Sequence, residues 1–213
     1  MVCTANVCRS RAGELLLRRF LAAAGVDALV SSAGVRASAG SPSCATMLRL
    51  LGEHAVGAQP PQAARPVTRG LLAEHDLVLV SERAHRAALA RLLPAARSRT
   101  FTLLEAAALA DTALEDTTIA GRPGAPADDS GGPALLSSRE QLRERVRLMD
   151  LARGKAQLPV GEVRARGLRA ALRGAVEEPL DVLDVHGQSV RAHRRALLQI
   201  DDSLSRLVRG LTR

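Results

Sequence analysis

The sequence predicts an α/β fold: a small doubly wound, four-stranded parallel sheet flanked by helices, with a truncated first strand. Three observations predict it. Short apolar runs alternate with segments of helical period from the first residues to about residue 110. Each strand is separated from the next by a helix, which calls for parallel pairing with right-handed crossovers. Met1 and Val2 alone precede the first loop, so the opening strand is very short.

The elements follow in order. Residues 9–24 read as a helix, with Leu16, Phe20 and Ala24 at one-turn spacing and Gly25 as its stop. Residues 28–33 form a short strand ending at Gly34. Ser41 as N-cap and Pro42 in the first helical position open a helix through Leu48 and Leu51 to Gly52. Residues 59–66 are a proline-rich loop. The run Asp76-Leu77-Val78-Leu79-Val80-Ser81 suits a strand buried on both faces. A helix over 82–93 stops at Pro94, residues 99–103 give the fourth strand, and 104–110 a short helix.

The middle of the chain changes character. Residues 117–133 combine Gly, Pro and Asp with no apolar period, which predicts a loop. Ser137 and Glu140 fit a capping box, and Leu142, Val146 and Met149 continue it as a helix to about Arg153. Residues 161–175 suggest a further basic helix. Leu197, Ile200, Leu204, Leu207 and Leu211 step by three and four, the pattern of a long amphipathic helix. The organisation expected is a single domain over 1–213 with an insertion at about 111–176.

Composition narrows the partners. Lys+Arg is 30 against 22 for Asp+Glu, a net +8, yet the arginines are dispersed and Phe20 and Phe101 are the sole aromatics. Nucleic-acid binders concentrate their charge and add stacking rings, so nucleic acid is not expected as a partner. No apolar run approaches the ~20 residues of a membrane span. Three cysteines and no charged-then-apolar leader point to a reducing, cytoplasmic setting without membrane attachment.

The chemistry is concentrated at Cys3-Thr4-Ala5-Asn6-Val7-Cys8-Arg9-Ser10. Cys3 and Arg9 bracket an interval that runs straight into a helix. Such a loop wraps backbone N–H groups around a tetrahedral oxyanion while the helix N-terminus faces the same point. Amides, dipole and guanidinium together favour a thiolate at the base of the cup, a nucleophile aimed at phosphorus. Arg9 offers a planar fork to two phosphate oxygens. The spacing by itself also fits two buried structural thiols, Cys3 and Cys8. His54, His75, His85, His186 and His193 show no metal-ligand spacing, and no metal is expected.

Residues 2–10 resemble the signature of the low-molecular-weight protein tyrosine phosphatases. Asp181-Val182-Leu183-Asp184-Val185-His186-Gly187-Gln188-Ser189 stands where that family has an Asp-Pro ahead of a long helix. Ser32-Ala33-Gly34 and residues 76–80 match its second and third strands. The resemblance implies a phosphatase that hydrolyses phosphotyrosine-type aryl phosphate monoesters, on a phosphorylated protein or a small aryl phosphate, through a phosphocysteine and without a cofactor. It makes Cys3 the nucleophile, Arg9 the phosphate clamp and Asp184 the general acid. Thr4, Ala5, Asn6, Val7, Cys8 and Ser10 line the phosphate loop, Asn6 holding its shape and Ser10 donating to the Cys3 thiolate. Cys8 is implied as the partner of Cys3 in a reversible disulfide. Asp184 read without the family is a solvated loop acid at the start of the last helix.

Several positions depart from the family pattern. Ala5 replaces Gly, Arg11 replaces Pro, Val185 replaces the Pro after the acid, and His186 takes the aromatic position. The family's first strand is longer, which raises the expectation of a start codon upstream. Two alternatives follow from these departures: a non-catalytic phosphate- or phosphoprotein-binding relative, and an arsenate reductase. The second needs two relay cysteines beyond the loop, where Cys44 alone stands.

Overall fold

The computed structural model describes residues 1–52, 63–110, 138–153 and 180–212. Their centre is a four-stranded parallel sheet in the order β2-β1-β3-β4. Here β1 is Val2–Cys3, β2 Ala33–Gly34, β3 Val78–Val80 and β4 Thr100–Thr102. The helices are α1 (Arg9–Ala23), α2 (Ala45–Gly52), α3 (Arg69–Ala73), α4 (Arg83–Leu92), α5 (103–110), α6 (Ser138–Leu151) and α7 (Val190–Thr212), with a 3-10 turn at Pro94–Arg99. The doubly wound parallel sheet expected from strand–helix alternation is the one observed.

Two residues make β1, and it lies in the middle of the sheet. Val2 pairs with Ala33 on one side and Val80 on the other, and Cys3 pairs with Gly34. Each flank is then lengthened by loop backbone: Val35 N–H donates to Cys3 O at 3.0 Å and Ser81 N–H to Val2 O at 2.9 Å. β2 is shorter than its apolar run. Leu29 is 81% exposed, and Ser31 and Ser32 turn their side chains to other partners.

Side chains alternate across the sheet as the pleat requires. Leu79 and Phe101 enter the larger core with Leu16 of α1, Met47 of α2 and Ile200 and Leu204 of α7. Val2, Val78 and Val80 enter a second cluster with Leu72 of α3 and Leu89 of α4. Truncating any one of these buried leucines or isoleucines would cost about 2–5 kcal/mol. The apolar stripe of the last helix thus finds its partner: α7 packs along α1 and α2.

Some expectations shift in detail. The second helix begins at Ala45 rather than Pro42, with Leu48 N–H donating to Cys44 O at 3.0 Å. The short helix α3, capped by Thr68 Oγ1 accepting from Leu71 N–H at 3.1 Å, carries no sequence signal, because so few residues show no period. Within the expected insertion, α6 is present and is tied to Asp76 through Arg139 at 3.0 Å and Arg143 at 2.7 Å. The expected loop at 117–133, the cap at Ser137 and the helix at 161–175 lie outside the described residues, as does the first half of the proline-rich loop, 59–62. Among the described residues no helix is long and apolar enough to cross a membrane.

Candidate active site

The loop from Cys3 to Arg9 joins the end of β1 to the start of α1, so a sheet end and a helix N-terminus meet at one point. Its path is set by Asn6. This residue has φ +58°, the one positive φ among the described non-glycine residues. Ala5, where the family carries Gly, therefore needs no left-handed backbone. Asn6 holds its conformation with three side-chain hydrogen bonds. Its Nδ2 donates to Ser10 Oγ at 2.9 Å and Ser32 Oγ at 2.8 Å, and its Oδ1 accepts from Arg65 N–H at 3.0 Å.

Cys3 Sγ lies at the centre of this loop. Asn6 N–H donates to it at 3.3 Å, and Ser10 Oγ is 3.0 Å away. Because Ser10 Oγ already accepts from Asn6, its own hydrogen is free to point at the sulfur. Gly34 passes close behind. A Cβ there would stand 2.6 Å from Thr4 O and 2.8 Å from Asn6 N, so only glycine lets β2 lie against the loop.

Arg9, 1% exposed, opens α1. Its Nη1 donates to Val182 O at 2.9 Å and is ion-paired with Glu82, and its Nη2 lies 3.0 Å from Asp184 Oδ2 and 3.4 Å from Thr4 Oγ1. The guanidinium plane is thus fixed by carboxylates on two separate loops. Asp184 is 55% exposed, on the 180–189 loop. That loop is anchored by the buried Val182 and Val185, by Val182 N–H donating to Ser81 O at 2.8 Å, and by Asp181 accepting from Arg83 N–H at 2.9 Å at the start of α4. Buried Val185 thus anchors the loop where the family has proline. Cys3, Arg9, Ser10, Asn6 and Asp184 come together; Thr4, Ala5, Val7 and Cys8 complete the loop.

A family model for the low molecular weight phosphotyrosine protein phosphatases matches residues 1–118. The chain belongs to that family. The probable low molecular weight protein-tyrosine-phosphatase AmsI of Erwinia amylovora is 34% identical over 101 residues, covering 47% of this chain and 67% of that protein. Etp of Escherichia coli, a low molecular weight protein-tyrosine-phosphatase, is 37% identical over 101 residues, covering 47% and 65%. The protein-arginine-phosphatase of Bacillus subtilis is 28% identical over 148 residues, covering 68% and 89%. The alignments with the tyrosine phosphatases thus span about two thirds of their length. In fold, the chain superposes on a YwlE mutant from Bacillus subtilis with a TM-score of 0.59 at 20% identity, covering 100% of this chain and 96% of that one. The Erwinia amylovora tyrosine phosphatase AmsI gives 0.59 at 18%, covering 100% and 91%.

Several residues around this phosphatase-family loop carry no local sequence signal. Glu82 and His85 reach it from the start of α4: Glu82 pairs with Arg9, and His85 Nε2 is 2.9 Å from Thr4 Oγ1. Burial lowers the His85 pKa below its usual value, Arg9 acts in the same direction, and Glu82, Asp181 and Asp184 oppose it. Arg11, standing where the family has proline, is buried against Glu14 at 2.6 Å and Ser32 at 3.2 Å. Ser32 Oγ donates to Glu14 Oε2 at 2.5 Å, so Arg11 and Glu14 orient the hydroxyl that Asn6 uses. Desolvation draws the Arg11 pKa down, and Glu14 opposes it.

The three cysteines are free thiols. Burial pushes the Cys8 thiol far up, and nearby Cys44 adds to the effect ahead of Cys3. Cys44 is held beside the loop by its N–H donating to Val7 O at 2.8 Å.

Proposed function

We propose that this protein hydrolyses phosphotyrosine-type aryl phosphate monoesters on Cys3. The observation that carries the reading is the sulfur of Cys3 receiving Asn6 N–H and facing Ser10 Oγ inside a loop closed by Arg9. In this reading Arg9 and the loop amides hold the phosphate oxygens, and the Cys3 thiolate attacks phosphorus as the bond to the phenol oxygen breaks. Asp184, protonated, gives its hydrogen to the departing phenolate. Its carboxylate then takes a proton from water as that water attacks the phosphocysteine, releasing inorganic phosphate and restoring the thiolate. Thr4, Ala5, Val7 and Cys8 contribute loop backbone, and Asn6 and Ser10 keep the sulfur oriented.

A second reading is phosphoarginine hydrolysis by the same loop. It is favoured by the longer alignment with the arginine phosphatase, 68% of this chain against 47% for Etp. Assaying phosphotyrosine, phosphoarginine and phosphoserine peptides with wild type and Cys3→Ser separates these readings. Turnover of the phosphotyrosine peptide that Cys3→Ser abolishes supports the first. Turnover confined to phosphoarginine supports the second, and phosphate binding without turnover leaves a non-catalytic relative.

A further inference from the structure

Beside the phosphate loop, three residues far apart in sequence bring soft donor atoms together. Cys8 closes the loop just before α1, Cys44 precedes α2, and His186 follows Asp184 by two positions. Their ligand atoms all lie within 4.8 Å of one another. His193, on the first turn of α7, places Nε2 3.4 Å from Cys44 Sγ. We propose that Cys8, Cys44 and His186 hold a thiophilic divalent cation, Zn2+ being the best match, with His193 as the fourth donor.

The geometry supports this on three counts. A tetrahedral Zn2+ with sulfur at ~2.3 Å and nitrogen at ~2.0 Å needs ligand atoms roughly 3.3–3.8 Å apart, and those of Cys8, Cys44 and His186 lie within 4.8 Å of one another. The spacing of Cys44 to His193 already has that value. His193 also has the outer partner that ligating histidines use: its Nδ1 is 3.0 Å from Ser189 O. A carbonyl can only accept, so Nδ1 carries the hydrogen and Nε2 turns its lone pair to Cys44.

The charges close as well. Two thiols give up their protons to solvent on binding, and two thiolates neutralise the dication between buried Cys8, half-buried Cys44 and exposed His186. The high thiol pKa of Cys8 describes the unliganded site; a coordinating cysteine is deprotonated outright. The cation takes no part in the proposed chemistry on Cys3. Its effect is mechanical. It would join the phosphate loop, the start of α2 and the Asp184 loop at one point.

The test titrates reduced Cys3→Ser protein with Co2+, removing the one other cysteine of the loop. The expected result is one equivalent bound, with thiolate-to-cobalt charge transfer and the intense visible bands of a tetrahedral site, displaced by Zn2+. Cys44→Ser and His186→Asn should each weaken Co2+ binding by about 100-fold. In wild type, Zn2+ should abolish alkylation of Cys44 by N-ethylmaleimide, and His186→Asn should restore it. The proposal is overturned by absence of the charge-transfer band, by a spectrum that both substitutions leave unchanged, or by a Cys8–Cys44 disulfide forming under peroxide with stoichiometric Zn2+ present. None of these readouts depends on phosphatase activity.

Discussion

Asp184 Oδ2 sits 3.0 Å from Arg9 Nη2, so the proposed proton donor is ion-paired with the proposed phosphate clamp. A phosphate group and this carboxylate would therefore compete for the same guanidinium N–H. Asp184→Asn removes that competition and the transferable proton together. It should lower kcat/KM, which reports the phosphoryl-transfer step to Cys3, by about 100-fold or more for phenyl phosphate and far less for p-nitrophenyl phosphate, because nitrophenolate leaves without a proton. Inorganic phosphate should inhibit the variant more strongly. Equal slowing of both esters would move the acid elsewhere.

The clamp depends on shape as much as charge. Arg9 meets Glu82, Val182 O, Thr4 and Asp184 from one plane, which the single ammonium of lysine cannot do. Arg9→Lys should lower kcat/KM by about 100-fold or more, measured by steady-state kinetics at constant ionic strength. Glu82→Gln keeps the shape and loses the charge, so its fall should be smaller.

Gly34 is a backbone requirement rather than a site residue. Gly34→Ala sets a methyl 2.6 Å from Thr4 O and 2.8 Å from Asn6 N, both main-chain atoms that cannot swing aside. The loop must move, and stability should fall by about 1–3 kcal/mol in urea unfolding, with phosphate affinity lost alongside. A variant with normal stability and normal phosphate binding would show that the loop is softer than its packing indicates.

His85 gives the fold a pH limit. Its usual pKa is about 6.5, and burial beside Thr4 lowers it in the folded state, keeping the ring neutral. The unfolded chain therefore takes up the proton first as pH falls. This contribution to stability is fully present above about pH 6.5 and is lost progressively as pH drops toward the lower folded value. Thermal midpoints across that range should decline in wild type and decline less in His85→Gln.

Much of the fold was legible because its signals are local. The run around Leu79 is buried on both faces, as an uninterrupted apolar strand should be, and the leucine stripe of α7 covers α1 and α2. The strand expected over 28–33 narrows to Ala33–Gly34, because Ser31 and Ser32 look like strand residues and serve instead as hydrogen-bonding side chains to His75, Asn6 and Glu14. The Ser41-Pro42 cap misplaced the start of α2, since Ser41 O accepts from Ala64 N–H at 2.9 Å and so belongs to a loop. At the site, the Cys3–Arg9 interval announces itself, being one continuous segment. Glu82 and His85 do not, nor does the meeting of Cys8, Cys44 and His186. Each depends on chain crossings that no spacing rule spans.

The central claim, covalent chemistry on Cys3, is tested most directly by trapping the intermediate. Asp184→Asn should still pass phosphate from p-nitrophenyl phosphate to the sulfur but lack the base that activates water, so a phosphoenzyme should accumulate. Acid quenching followed by peptide mapping is predicted to find the phosphate on Cys3, with none in the Cys3→Ser, Asp184→Asn double variant. Phosphate on another residue, or steady turnover with no phosphoenzyme at any time, would contradict the account.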